Sequence, residues 1–463
     1  MNQNLSRHYS TGALIRFTLP TIFVMIFTSI YGVVDGFFLS NFAGKLPFAS
    51  VNFIMPFTLI LSSIGFMMGS GSAALIGRTL GENKAHDARR QFTGLFIATV
   101  FISILTAMIG FVILEPVLAF MGCTPQMKPY ALSYARTLLC FLPFYMTQSY
   151  FQPIFVTAGK PATSFKVTIA GGIINIALDY LLIGVLNMGT TGAALATGIG
   201  QMSAALLSIL CFLPRKKRAE QLLSFTHGKA YPEEILQAAS NGISEFFSSA
   251  ASSIISILYN VQLLRYIGEN GVAAYGTLMY VSMIFMAISM GYTMGSAPLV
   301  SYQYGAGNKT ELASLTRKSV TIITLGSIAM YTLAILLASP ISHLFGAGDA
   351  SMVEVTMNAF ALCSPVFLFS GFAMFGSGFF TALNNGKVSA AISIIRTAVF
   401  QIGFILLFPI LWGADGIWIS MVAAEGMAVL ITLILLIRYR NVYGYALSNV
   451  PVQGCIQVDE KTA

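Results

Sequence analysis

Charged residues are scarce in this chain, and their scarcity excludes an ordinary soluble fold. Of the 463 residues only 9% are Asp, Glu, Lys or Arg, whereas 56% are hydrophobic and the mean hydropathy is +0.78. Soluble domains carry about 25% charged residues because their surfaces must face water. The composition therefore excludes a soluble enzyme and a disordered protein, and it predicts an integral membrane protein.

Cysteine and histidine are also sparse, and neither shows the spacing of a metal or redox site. The five cysteines are an odd number without metal-ligand spacing, and the four histidines lie far apart and outside any HExxH-like motif. We therefore predict no disulfide framework and no metal site from these residues. No small-residue cleavage signal follows the first apolar stretch, so we expect that stretch to be retained as a helix.

Long apolar stretches recur twelve times, each near the ~20 residues that a helix needs to cross the hydrocarbon core. The predicted spans are 14–38, 50–76, 92–114, 130–155, 167–187, 191–213, 234–264, 272–299, 319–338, 355–380, 388–410 and 416–437. They predict an N-terminal six-helix lobe (1–213), a basic cytoplasmic connector (214–233), a C-terminal six-helix lobe (234–440) and a cytoplasmic tail (441–463).

Basic residues are distributed unevenly between the two sides of these spans. Twenty of the 25 Lys and Arg fall in segments on one side and three on the other. Because cytoplasmic loops carry the excess of Lys and Arg, this split predicts a plasma-membrane protein with both termini in the cytoplasm. The positive charge is scattered over short loops rather than gathered on one face, so we predict no nucleic-acid partner.

The chain repeats itself with an offset of 224 residues. Residues 71–75 (GSAAL) match 295–299 (GSAPL), and 189–192 (GTTG) match 413–416 (GADG). Each half holds six spans, an even number, so the second half enters the membrane in the same sense as the first. We expect an all-α fold of two pseudo-symmetric lobes, related by an axis along the membrane normal, with a substrate path between them.

Acidic residues inside spans are the first functional candidates, because a carboxyl there costs at least ~2.5 kcal/mol to insert. Asp35 lies in the first span, Asn175 and Asp179 in the fifth, and Thr197 at similar depth in the sixth. Asn175 and Asp179 are four residues apart and share one helix face. Together these groups could form an oxygen-rich site for Na⁺ or a proton. The alternative is that each is satisfied separately by neighbouring helices.

Other intramembrane features are open to a structural interpretation. Glu245 near the start of span seven could pair with a nearby base or have a functional role. We expect Glu425 to pair with Arg396, and Arg136 to pair likewise or to extend to the interface. Pro20, in the first span, frees a backbone carbonyl and lets the helix bend.

Aromatic and methionine side chains are abundant, with 36 Phe, 22 Met and 19 Tyr. Most should face lipid or pack in the interior, but some could line an adaptable cavity for flat apolar molecules. The candidates with a polar group for such a cavity are Gln148, Gln152, Tyr259, Asn260 and Gln262.

Taken together, these features resemble the multidrug and toxic compound extrusion (MATE) family. The resemblance rests on residues 17–20 (FTLP), Val34-Asp35, the loop 77–83 (GRTLGEN), the Asn175 and Asp179 pair, and the six-plus-six repeat. It covers about residues 10 to 440 and is similar to the prokaryotic branch of DinF- and MepA-like exporters.

The resemblance implies an antiporter that exports cationic or amphipathic small molecules, among them antibiotics, in exchange for H⁺ or Na⁺ by alternating access. It implies a cation site in the N-terminal lobe, carried over onto Asp35, Asn175, Asp179 and Thr197, and a helix hinge at Pro20. It implies no cofactor, and we expect a monomer surrounded by membrane lipid. Span ten has no buried acid, so a cation site in the second lobe is not expected.

Three alternatives remain open at this point. A lipid-linked oligosaccharide flippase of the same superfamily would need a strongly cationic cavity for pyrophosphate, and only Arg136 and Arg396 lie within spans. An intramembrane enzyme would need a Ser/His pair, an HExxH motif or paired catalytic aspartates. A passive channel would not explain an acid cluster in only one half.

Overall fold

Helices make up nearly all of the structure. The computed structural model describes residues 3–214, 222–346 and 350–445, and no strand occurs in these ranges. The basic cluster Arg215, Lys216, Lys217 and Arg218 of the predicted connector and nearly all of the predicted tail lie outside the described residues.

Six helices form the first half of the bundle. They are α1 Thr11–Phe38, α2 Lys45–Gly81, α3 Ala85–Phe120, α4 Lys128–Thr157, α5 Pro161–Asp179 and α6 Gly189–Phe212. Wider, π-helical turns extend α1 over Leu39–Ala43 and α5 over Tyr180–Val185. A four-residue helix, Gln3–Ser6, precedes α1.

The second half repeats this arrangement. It begins with α7 Pro232–Tyr266, α8 Glu269–Gly305 and α9 Lys309–Gly346. α10 consists of Ala350–Cys363 and Val366–Ala382, which meet at an angle of 50°. α11 begins with Gly386–Ile394 and the π-helical turn Ile395–Gln401, and it runs into the helical segment Ile402–Tyr443.

That last segment contains two antiparallel crossings, because the chain reverses at Gly413. The backbone of Gly413 is not helical, with φ 60° and ψ −136°. Arg396 and Glu425 meet at 2.8 Å, although 29 residues of straight helix would separate them by about 43 Å. α11 therefore ends at this glycine and α12 begins there. Gly189, which has φ 56°, occupies the equivalent turn between α5 and α6.

The predicted all-α membrane fold of twelve helices is confirmed for the described residues. Nine of the described helices are long and apolar enough to cross a membrane, and the bent α10 is a tenth. The segment Gly386–Tyr443, counted once by length, holds two crossings because of the reversal. The twelfth is α4, whose 30 residues are long enough to span although its composition is more polar.

Glycines bring the two halves into backbone contact at one end of the bundle. We name this end the basic end, because Arg78, Lys84, Lys160, Lys309 and Lys387 lie there. A Cβ atom on Gly71 of α2 would lie 1.8 Å from the carbonyl oxygen of Ala238 on α7, and one on Gly242 would lie 1.8 Å from that of Met67. Glycines of α8 approach α1 in the same way. Small residues permit such close helix packing in membranes.

The segment before α1 crosses to the second half. The Leu5 carbonyl accepts a hydrogen bond from Gln303 Nε2 at 3.0 Å. Glu311 on α9 accepts one from the Tyr9 backbone N–H at 3.1 Å and lies 2.5 Å from His8 Nδ1. Leu5 and Tyr9 are fully buried. Residues 5–9, the N-terminal strap, therefore tie the start of α1 to α8 and α9.

Replacing Glu311 by Ala should loosen this strap and lower the melting temperature of the purified protein. The change removes the acceptor for the buried Tyr9 N–H, and an unpaired buried donor costs about 1–3 kcal/mol. Scanning fluorimetry in detergent measures the effect. Glu354→Ala, at an exposed carboxyl of α10, is the control and should leave the melting temperature unchanged. Equal melting temperatures for the two variants would contradict the role of the strap.

Candidate cation site

Three helices of the first half bring the four predicted site residues together. α1 supplies Asp35, α5 supplies Asn175 and Asp179 one turn apart, and α6 supplies Thr197. Thr197 Oγ1 donates to Asp35 Oδ2 at 3.3 Å, and Asn175 Nδ2 is 3.4 Å from Asp179 Oδ2. The carboxyl groups of Asp35 and Asp179 lie within hydrogen-bonding reach of each other.

The amide of Asn175 can serve either acid, but only one at a time. Turned towards α1, its nitrogen donates to Asp35 Oδ1 at 2.8 Å while its oxygen accepts from the Thr197 backbone N–H at 3.3 Å. The reverse orientation makes only the longer bond to Asp179. An amide orientation is assigned from its hydrogen bonds, and the first orientation satisfies both ends. In that orientation Asp179 loses its donor from Asn175.

Asp179 is the more deeply buried acid and is poorly satisfied. It is fully buried, and its Oδ1 has no hydrogen-bond partner among the described residues. A buried ionised carboxyl is costly without a counter-charge, and a second carboxyl beside it adds repulsion. The pair therefore requires a proton or a small cation. No cluster of three or more His, Cys, Asp or Glu side chains suited to a bound metal occurs in the described ranges.

Close packing of α5 against α6 creates this geometry. A Cβ atom on Gly200 would lie 2.8 Å from the Asn175 Cβ and 2.8 Å from the Gly171 carbonyl oxygen. The two helices therefore approach at backbone distance, which brings Thr197 to the level of Asn175. Asp179 is the last α-helical residue of α5 before the π-helical turn, a wider geometry that is frequent at functional sites.

A small cavity lies beside Asn175 and Thr197. It has a volume of about 10 Å³ and is lined by Tyr31, Gln148, Asn175, Thr197 and Gln201, among others. A cavity of this size holds about one water molecule, whereas drug-sized molecules occupy sites of about 300–1,000 Å³. The space therefore suits an ion or a water molecule and not a drug. Tyr31 and Gln201 were not among the candidates from sequence, because a lone Tyr or Gln in an apolar span gives no distinguishing pattern.

The five residues predicted for a substrate cavity fall in two groups, one on each half. Gln148 lines the small cavity, and Gln152 follows one turn later on α4; Oε1 of each is buried without a partner among the described residues. Tyr259 instead belongs to the interior of the second half, where its hydroxyl is 3.0 Å from Ser420 Oγ. Asn260 and Gln262 follow it on α7. The five residues thus lie on α4 of the first half and α7 of the second, the helices in which their predicted spans place them.

Three of the four remaining intramembrane charges, Arg136, Arg396 and Glu425, are paired. Arg396 Nε donates to both oxygens of Glu425, at 2.8 and 3.0 Å, as the sequence predicted. Arg136 pairs with Glu115 at 2.6 Å, and both side chains are half-exposed.

Glu245 lies deeper along its helix than the sequence predicted. It lies thirteen residues after the start of α7, about 20 Å along the helix, and so is farther from the helix end than predicted. It is half-buried, and no charged group among the described residues acts on it. Of its two open interpretations, pairing with a base therefore has no partner in the described ranges.

Pro20 lies within an unbroken helix. α1 continues through it from Thr11 to Phe38. Since proline has no N–H, the Arg16 carbonyl one turn earlier receives no helical hydrogen bond from this position. The helix can therefore bend here at a lower cost than elsewhere.

Comparison with known proteins identifies relatives along nearly the whole chain. A family model described as MatE matches residues 20–181 and again residues 246–407. The chain is 22% identical over 435 residues to the multidrug export protein MepA of Staphylococcus aureus (strain N315), with 93% of this chain and 94% of the relative covered.

Solved structures show the same fold. A crystal structure of a MATE in the straight conformation superposes with a TM-score of 0.88 at 21% identity, covering 95% of this chain and 98% of that one. The outward-facing conformation of a multidrug resistance MATE family transporter gives a TM-score of 0.87 at 22% identity, with 95% and 98% covered.

Replacing Gly200 by Ala should disable the site without unfolding the protein. The added methyl collides with Asn175 and must push it away from the acids. We expect the stabilisation by Na⁺ or by acidification, measured as a shift in melting temperature, to be lost. Gly276→Ala on α8 is the matched control, because no atom lies within 4 Å of its added Cβ. It should keep the cation response and gain up to ~1 kcal/mol of helix stability. An unchanged cation response in Gly200→Ala would contradict the assigned geometry.

Proposed function

Because this chain belongs to the MatE family of membrane transporters, we propose that it exports amphipathic or cationic small molecules in exchange for H⁺ or Na⁺. The observation that carries the proposal is the pair Asp35 and Asp179. Asp179 is fully buried, the Asn175 amide can serve either acid, and the pair has no fixed counter-charge among the described residues. An unneutralised acid pair inside an apolar bundle is suited to take up and release a cation. Membership of this family makes the protein a transporter and not an enzyme.

The cargo class is supported by the relatives and by composition. The similar proteins include exporters named for multidrug export, and aromatic residues and methionine, which suit adaptable apolar sites, are abundant here. A transporter of this kind contributes to antibiotic resistance by lowering the internal drug concentration. It needs no cofactor beyond the coupling ion.

Alternating access is supported by the unequal packing of α1. Its buried residues run only from Leu14 to Met25, and no residue of α1 beyond Met25 is buried. The two halves thus meet at the basic end and leave the other half of α1 open. With the basic end in the cytoplasm, this is an outward-open state. Opening to the cytoplasm requires the glycine contacts to separate, and a bend of α1 at Pro20 would begin that separation.

Coupling requires that cation and cargo favour different states. Only a difference in affinity between the two conformations can drive the cycle. One proton moving down about 150 mV supplies ~3.5 kcal/mol. That supports a gradient of roughly 10²–10³ for a neutral cargo, since each ~1.4 kcal/mol is tenfold. Exchange of a monovalent cationic cargo for one proton is electroneutral and uses only the pH difference.

We also propose how the chain is divided into lobes and oriented in the membrane. Lobes at 1–213 and 234–440, joined by the connector 214–233 and followed by the tail 441–463, are supported by the family match, which occurs once in each lobe. We place both termini in the cytoplasm and the protein in the plasma membrane as a monomer that contacts lipid and no nucleic acid.

The flippase alternative is disfavoured by the state of the two intramembrane arginines. Arg136 is paired with Glu115, and Arg396 with Glu425. Each positive charge is therefore matched by a carboxylate, and a strongly cationic cavity for pyrophosphate is not formed by them.

Neutralising either acid should abolish export. Asp35→Asn and Asp179→Asn keep the size of the side chain but cannot exchange a cation. Efflux of a fluorescent cationic dye from energised cells should fall to the level of cells without the transporter. Glu354→Gln, at the exposed carboxyl of α10, is the control and should transport normally. Wild-type efflux by Asp35→Asn would refute the coupling role.

Efflux assays in proteoliposomes identify the coupling ion, and they use the wild-type protein and the same variants. Efflux is measured first without Na⁺ and then with the pH gradient collapsed. The proposal expects one of these treatments to stop wild-type transport. Efflux that persists under both treatments would exclude antiport.

A further inference from the structure

The second half lacks the acid pair of the first. The offset of 224 residues holds in the structure, because the reversals at Gly189 and Gly413 have the same positive φ. At this offset Val399 and Gly403 occupy the places of Asn175 and Asp179. The second half therefore has no counterpart of the cation-binding face of α5.

A different polar group occupies this region of the second half. At the same offset Arg396 and Glu425 correspond to Gly172 and Gln201, two residues that line the small cavity of the first half. Glu425 accepts both bonds from Arg396 Nε and a third from Gln401 Nε2 at 2.9 Å. The side chains of Arg396 and Glu425 are 13% and 1% exposed.

The π-helical turn of α11 makes this arrangement possible. Arg396 and Gln401 are five residues apart and both lie in the turn Ile395–Gln401. Residues five apart point in different directions in an α-helix of 3.6 residues per turn, but a widened turn brings them towards one face. Both donors can then reach the same carboxylate.

The comparison of the two halves indicates what the Arg396 and Glu425 pair does. Where Gly172 and Gln201 line a small cavity in the first half, the second half holds a guanidinium that is attached to the chain. A carboxylate as deeply buried as Glu425 requires a positive partner. Arginine stays charged at any physiological pH and cannot diffuse away. On the α7 side the titratable neighbour of Glu425 is Tyr259, with Cys363 of α10 next to it, and neither is a base.

We propose that Arg396 permanently replaces an exchangeable cation in the second half, and that Glu425 is a latent cation-binding site that Arg396 blocks. The second half is then the non-exchanging half, and the exchange of cations is confined to the first. The confinement of cation exchange to the first half rests on the proposed function, whereas the latent site at Glu425 does not.

Removal of the guanidinium tests the latent site. The full-length protein carrying Asp35→Asn and Asp179→Asn, which silences the first half, is the background. Melting temperatures are measured during titration with Na⁺ at constant ionic strength and during acidification. Adding Arg396→Gln should create a cation response, a rise of a few degrees at a cation concentration of ~100 Kd, because a ligand that binds only the folded state stabilises it.

Two further variants serve as controls. Arg396→Lys keeps a tethered positive charge and should give a flat titration. Arg396→Gln combined with Glu425→Gln removes the carboxylate and should also be flat. A flat titration for Arg396→Gln alone, or a response that survives in the double variant, overturns the proposal.

A failure of the Arg396→Gln variant to fold also tests the proposal. If it yields no folded protein at neutral pH, the added Glu425→Gln must restore the yield, because the unpaired carboxylate is then the cause. No recovery in the double variant overturns the proposal. These outcomes do not depend on cation binding by the first half, whose acids are absent throughout.

Discussion

Two carboxyl groups in contact inside an apolar bundle cannot both stay ionised without a positive partner. Asp35 and Asp179 are in this position, with Asp179 fully buried and one of its oxygens unsatisfied among the described residues. The packing and hydrogen bonds around the two acids position them. Backbone-level packing at Gly200 brings α6 to α5, and the amide of Asn175 can turn to support either acid. A cation that binds here changes which of these hydrogen bonds are favourable.

The contact between the two halves can couple such a local change to the rest of the molecule. α1 carries Asp35 near one end and packs against α8 near the other, where glycines allow backbone contact. Packed backbones shift as units rather than deform gradually. In the proposed mechanism, a bend at Pro20 therefore alters both the acid pair and the contacts at the basic end. The N-terminal strap adds polar contacts at that end, which the proposed opening has to break.

Hydropathy, basic-residue counts and the repeat predict the fold, because they report local composition over whole spans. They also predict the Asp35 and Asp179 pair and the Arg396 and Glu425 pair, since a charge within a span is rare enough to be noticed. Hydropathy and charge counts do not predict contacts that depend on how each helix is rotated about its own axis. The position of Gln201 in the cavity beside Asn175 and Thr197 and the lack of a charged group acting on Glu245 among the described residues belong to this group. The strap is likewise unpredictable from hydropathy, because its polar residues dock by specific hydrogen bonds.

The most direct test of the account is the number of cations released when cargo binds to the purified protein. Proton release is read with a pH indicator in weak buffer, and Na⁺ release by equilibrium dialysis with a radioactive tracer. Since coupling between two ligands is reciprocal, the account predicts that each bound cargo displaces about one cation, and that Asp35→Asn and Asp179→Asn abolish the release. Cargo binding to the wild-type protein without release of either ion would contradict it.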